Sequence, residues 1–110
     1  MEAKVEHVDG VPVIAISGRL DATSAPTFDT SMKELLATPH TRVLVDLSGV
    51  TYISSAGLRS VLLLVKHAAA SGGRVGLYSA SPQVAEVIEI SGFPSLLDVY
   101  PDRESAFRSQ

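Results

Sequence analysis

Hydrophobic positions along this chain change their spacing several times, and each change predicts an element. KVEHV alternates apolar with polar residues up to Asp9-Gly10, and the β-rich run 11–18 follows, so the chain opens with a hairpin. Phe28, Met32, Leu35 and Leu36 then fall at i, i+4, i+7 and i+8. That is one face of a helix, with Thr23 or Ser24 as its cap and Pro26 in its first turn. RVLVDL, 42–47, is a short β-branched run of the kind that suits a strand covered on both faces. A helix over 55–71 stops at Gly72-Gly73, and RVGLYSA, 74–80, supplies the next strand. Ser81-Pro82 opens a third helix that Gly92 closes. SLLDVY gives a short strand, and Asp102 caps a last helix packed through Ala106 and Phe107.

Strand, helix, strand, helix, strand is the signature of an α/β domain with parallel crossovers. With the opening hairpin, the expectation is one domain over 1–110, a small mixed, mostly parallel β-sheet flanked by about four helices. In open α/β sheets, sites lie beyond the carboxyl ends of the strands. YISSAGLRS, 52–60, falls there, between a strand's end and a helix's start, and carries two adjacent hydroxyls.

Composition narrows the chemistry. A chain of 110 residues with 45% apolar and 19% charged residues is long enough for one core and too apolar to be disordered. The net charge of −3, with nine scattered Lys and Arg, gives no footing for nucleic acid. No cysteine is present, and His7, His40 and His67 lack ligand spacing, so neither a metal nor another cofactor is expected. MEAKVEHVDG has no apolar signal region, and VLLLV is far too short to span a bilayer. A cytoplasmic protein with no direct membrane insertion is expected.

Ser54 and Ser55 admit four readings. A helix N-cap needs only a side-chain oxygen, and Ser54 fits. A nucleophile needs a base and, in the strand-to-helix elbow, a Gly two residues before the Ser; that Gly is missing, and His67 lies ~18 Å along the helix from Ser55. A phosphate-cradling loop needs clustered glycines followed by Lys, which SGVTYISSAGLR lacks. An acceptor serine remains: a phosphate there adds about −1.5 to −2 charge at the positive end of the helix dipole, altering the surface at little cost to the fold.

GRLDA (18–22), VLVDLSGVTYISSAGL (43–58), Gly72-Gly73, SPQV (81–84) and ISGF (90–93), in that order, resemble the STAS-domain family of anti-sigma-factor antagonists. The resemblance covers essentially the whole chain and implies a binding protein, not an enzyme. It implies an unmodified form that binds an anti-sigma factor, often a serine kinase, and so frees a sigma factor. It also implies a kinase that ends binding by phosphorylating a serine, and a metal-dependent serine phosphatase that restores it. Placed on SSAGL, the acceptor is Ser55, with Ser54 as the alternative. Ser54 stands where the family usually has Asp, which favours a second possibility: a constitutive scaffold subunit of a membrane-transport or signalling complex. Asp21, in GRLDA, matches a position near the binding edge; an Asx turn explains it equally well.

On a helical wheel, Leu58, Val61, Leu62, Val65, Ala68 and Ala69 share a face; Arg59, Ser60, Lys66, His67 and Ser71 lie opposite, with Leu64 at the margin of that polar face. Leu63 falls inside the polar face, an apolar anchor for a partner. The predicted contact set is Asp21, Ser54, Ser55, Ala56, Gly57, Leu58, Arg59 and Leu63. Tyr52 and Phe93 read as packing around the sheet edge.

Overall fold

The computed structural model describes residues 1–92 and 97–108. Its order is β1 (Glu2–Val8), β2 (Val11–Leu20), α1 (Ala25–Leu35), β3 (Arg42–Ile53), α2 (Ser55–Ala70), β4 (Arg74–Tyr78), α3 (Pro82–Ser91), β5 (Asp98–Tyr100) and α4 (Arg103–Arg108). The strands lie side by side as β1-β2-β3-β4-β5; β1 pairs antiparallel with β2, and every later pairing is parallel. The mixed, mostly parallel sheet with four helices is therefore as expected. Asp9 and Gly10, with φ of 52° and 79°, form the two-residue turn that the Asp-Gly pair predicts.

Alternation along the strands sorts side chains onto two faces. Ile14, Ile16, Val43, Val45, Val75 and Leu77 pack with Phe28, Met32 and Leu35 of α1, Val61, Leu64 and Ala68 of α2, and Val84 and Ile88 of α3. On the other face a smaller cluster joins Val13, Leu44 and Tyr78 to Ala106 of α4. Ser81 caps α3 by accepting from the Val84 N–H, and Asp102 caps α4 by accepting from Ser105 N–H at 2.7 Å. Both caps stand where the sequence puts them.

The strand predicted over 42–47 continues to Ile53. Its register against β2 slips twice, at Ala15/Ser17 and Gly18/Arg19, and each slip puts one extra residue on β3. Two bulges are the result, and they replace the period of two with a period of three: Leu47, Val50 and Ile53 are buried while the pairs between them are exposed. α2 is also rotated from the wheel's assignment. Gly57, Ser60, Val61, Leu64 and Ala68 face the sheet; Ser60, expected outside, is buried, and Ala69, expected inside, is exposed. Leucines at 58, 62, 63 and 64 make the helix apolar on more than one side, so its periodicity cannot choose the face; the small residues Gly57 and Ser60 do, by letting the helix approach closely. Phe93 and the start of SLLDVY lie outside the described residues.

Candidate functional site

β3 pairs with β4 only through Arg42–Asp46, and β1 reaches no further along β2 than Ser17. The last turns of β2 and β3 therefore project together beyond the rest of the sheet, with Arg19 opposite Tyr52 and Leu20 opposite Ile53. This projection carries the two serines. The chain leaves it into α2 through a tight junction: Ser54 N–H donates to the Leu20 carbonyl at 3.0 Å, and Gly57 packs on that same carbonyl. Any Cβ at position 57 would overlap the Leu20 oxygen.

Ser54 is the N-cap. Its backbone is extended (φ −97°, ψ 175°), and its Oγ accepts from Gly57 N–H at 3.2 Å. Its carbonyl accepts from Leu58 N–H at 2.8 Å. Ser55, the first residue of α2, is exposed, and its hydroxyl has no hydrogen-bond partner among the described residues. The adjacent serines thus have different jobs: one is spent on the backbone, the other faces outward.

Asp21 shapes the neighbouring loop. Its Oδ1 accepts from the N–H groups of Thr23 (3.1 Å) and Ser24 (3.2 Å), the Asx-turn arrangement. Ser24 stands at the N-cap of α1 but makes no side-chain cap bond; its Oγ instead donates to the Arg19 carbonyl at 2.6 Å and accepts from Asp21 N–H at 2.9 Å. The Ser24 N–H bond chiefly, with help from Thr23 and Arg19, holds the Asp21 carboxyl below its usual range. Arg19 pairs with Asp21 at 3.4 Å, and its guanidinium sits 4.2 Å from the centre of the Tyr52 ring.

Of the predicted contact residues, Ser55 and Arg59 are exposed, Leu63 is 37% exposed, and Asp21, Ser54, Ala56 and Leu58 are half-buried around them. Gly57 is the correction: it is buried, so it shapes this surface from beneath. Tyr52, expected to pack, is 43% exposed, because the second bulge turns it outward onto Arg19. Arg19 and Tyr52 are the surface residues that sequence reasoning missed. Arg19 sat within GRLDA, but nothing local aligns it with Tyr52; that needs the bulged register.

A shallow apolar groove of about 290 Å³, lined by Thr51, Tyr52, Ile53, Gln83, Val84 and Val87, flanks the projection on the α3 side. A larger cleft, about 540 Å³, opens at the opposite pole between the amino ends of β3, β4 and β5. Its arginines are engaged within the protein: Arg74 makes two bonds to Asp98, and Arg42 donates to the Ala106 carbonyl. No metal-binding cluster of three or more His, Cys, Asp or Glu exists among the described residues, and no described helix is long and apolar enough to cross a membrane.

The STAS domain family matches residues 2–106. A Bordetella bronchiseptica protein, BtrV, whose name marks it as a candidate anti-sigma factor antagonist, is 35% identical over 96% of this chain and 91% of its own. A STAS-domain containing protein of Pseudomonas aeruginosa is 34% identical over 78% of this chain and 84% of its own. Among solved structures, an anti-sigma factor antagonist from Mycobacterium paratuberculosis superposes with a TM-score of 0.90 at 25% identity, covering 98% of this chain and 92% of that one.

Proposed function

The chain belongs to the STAS-domain family, and from that premise we propose that it is an anti-sigma-factor antagonist switched by phosphorylation of Ser55. The unmodified form binds an anti-sigma factor that is also a serine kinase, freeing the sigma factor. Phosphate on Ser55 ends binding, and a metal-dependent serine phosphatase restores it. The protein acts by association in the cytoplasm and catalyses no step itself.

The observation that carries this reading is the division of labour at the start of α2. Ser54 takes the capping bond, which leaves the Ser55 hydroxyl exposed and unbonded among the described residues. A phosphate added there meets the positive end of a helix dipole and disturbs no core contact. It alters the surface offered by Ala56, Leu58, Arg59 and Leu63 on one side and by Asp21 on the other. Relatives named as anti-sigma factor antagonists support the class of partner.

Incubation with the cognate kinase and ATP should add one phosphate by intact mass, and Ser55→Ala should abolish it. Phosphate on Ser54 instead would sink the assignment. The Ser at position 54 supports a second reading, a scaffold subunit with both serines as structural groups. Protein recovered from cells unmodified and bound to a transporter ATPase would favour it.

A further inference from the structure

Resting on that reading of Ser55, we propose that Arg59 is the intramolecular counterion of the phosphate. Residues 55 and 59 stand four apart on α2, one turn and one row apart on the same outward side. Both are exposed, on the side opposite the buried residues Gly57, Val61, Leu64 and Ala68. Helical side chains lean back toward the N-terminus, so a long side chain at 59 lies over the turn that begins at Ser55. An anion N-terminal to a cation at this spacing is also the favoured order.

The N–H groups of Ser55 and Ala56, at the open start of α2, have no partner among the described residues and would meet the phosphate whatever stands at position 59. The next two donors and the nearby cations are engaged or distant. Gly57 N–H goes to Ser54 Oγ and Leu58 N–H to the Ser54 carbonyl. Arg19, on the adjoining strand end, is paired with Asp21 and stacked on Tyr52. Lys66 and His67 lie two to three turns further along α2, ~16 Å or more from Ser55. Arg59 has neither an ion pair nor a hydrogen bond among the described residues, and α2 holds no Asp or Glu to compete for it. Modification would therefore do two things: place a dianion at the start of the ridge and withdraw its nearest free cation from any docked partner. A guanidinium suits the task because its fork can meet two phosphate oxygens at once.

The test uses full-length protein with phosphoserine installed genetically at position 55, so it does not depend on finding the kinase. A ³¹P NMR titration reads the second phosphate pKa. The phosphate in the parent protein should titrate a few tenths of a unit lower than in Arg59→Gln, as an exposed i, i+4 pair implies. Arg59→Lys should keep part of the shift, Lys66→Gln should not change it, and 1 M salt should shrink the difference. Equal pKa values in the parent and Arg59→Gln, or an equal change in Lys66→Gln, would overturn the role of Arg59. Failure of the kinase to modify Ser55 would count against the functional reading alone.

Discussion

Ser54 and Gly57 together fix how α2 begins, and each can be tested singly. Ser54→Ala removes the oxygen that holds Gly57 N–H and should cost about 1 kcal/mol, read as a lower urea midpoint with an unchanged slope. Gly57→Ala drives a methyl into the Leu20 carbonyl and should cost about 1–3 kcal/mol by overpacking, despite Ala's better helix propensity. Asp21 makes a pH prediction. Its folded-state pKa is depressed, chiefly by the Ser24 N–H, so its ionised form stabilises the fold above the ordinary carboxylate range. That contribution fades as pH falls through the folded value. The stability gap between the parent and Asp21→Asn, measured by urea titration, should therefore narrow below about pH 4. A gap that widened on acidification would contradict the Asx-turn account. Of these roles, the Ser54 cap was legible in sequence because a cap is a local device. The contact of Gly57 with Leu20 joins residues far apart in the chain, and no neighbouring residue announces it.

The hairpin, the caps of α3 and α4 and the strand–helix alternation were all readable because each rests on short-range rules. β3 was read six residues short, since SGVTYI loses its period of two at the bulges, and bulges depend on the partner strand. The same loss hid Tyr52 and its pairing with Arg19. α2 was placed correctly along the chain but turned about its axis, because its leucines outnumber the positions on one face. Leu63 and Leu64 separate the two orientations. Leu64 is fully buried, so Leu64→Ala should cost about 2–5 kcal/mol. Leu63→Ala should change stability by no more than about 0.5 kcal/mol while weakening capture of the anti-sigma factor. Urea denaturation and binding to the purified partner, run side by side, would expose the alternative: comparable stability losses at both positions would mean that Leu63 serves the core.

Across the molecule, the paired ends of β2 and β3 stand clear of β1 and β4, so the candidate site is joined to the core through two strands and the first turn of α2. This arrangement predicts how far a charge at position 55 is felt. Glu in the first turn of α2 lies at the positive end of the helix dipole, and no acidic side chain already occupies that turn. Ser55→Glu should therefore raise the melting temperature slightly, by an amount equivalent to about 0.3–1 kcal/mol at low salt. Its effect on amide hydrogen exchange should stay within the projection, residues 18–24 and 48–60. The central strands, where Val43, Leu44, Val45, Val75 and Leu77 are buried, should keep their protection. Binding to the anti-sigma factor should nevertheless be lost, because the change falls on the surface proposed for docking. Deprotection spreading into Val43–Val45 or Val75–Leu77 in the Ser55→Glu protein would mean that the negative charge acts by loosening the interior, and the surface mechanism would have to be abandoned.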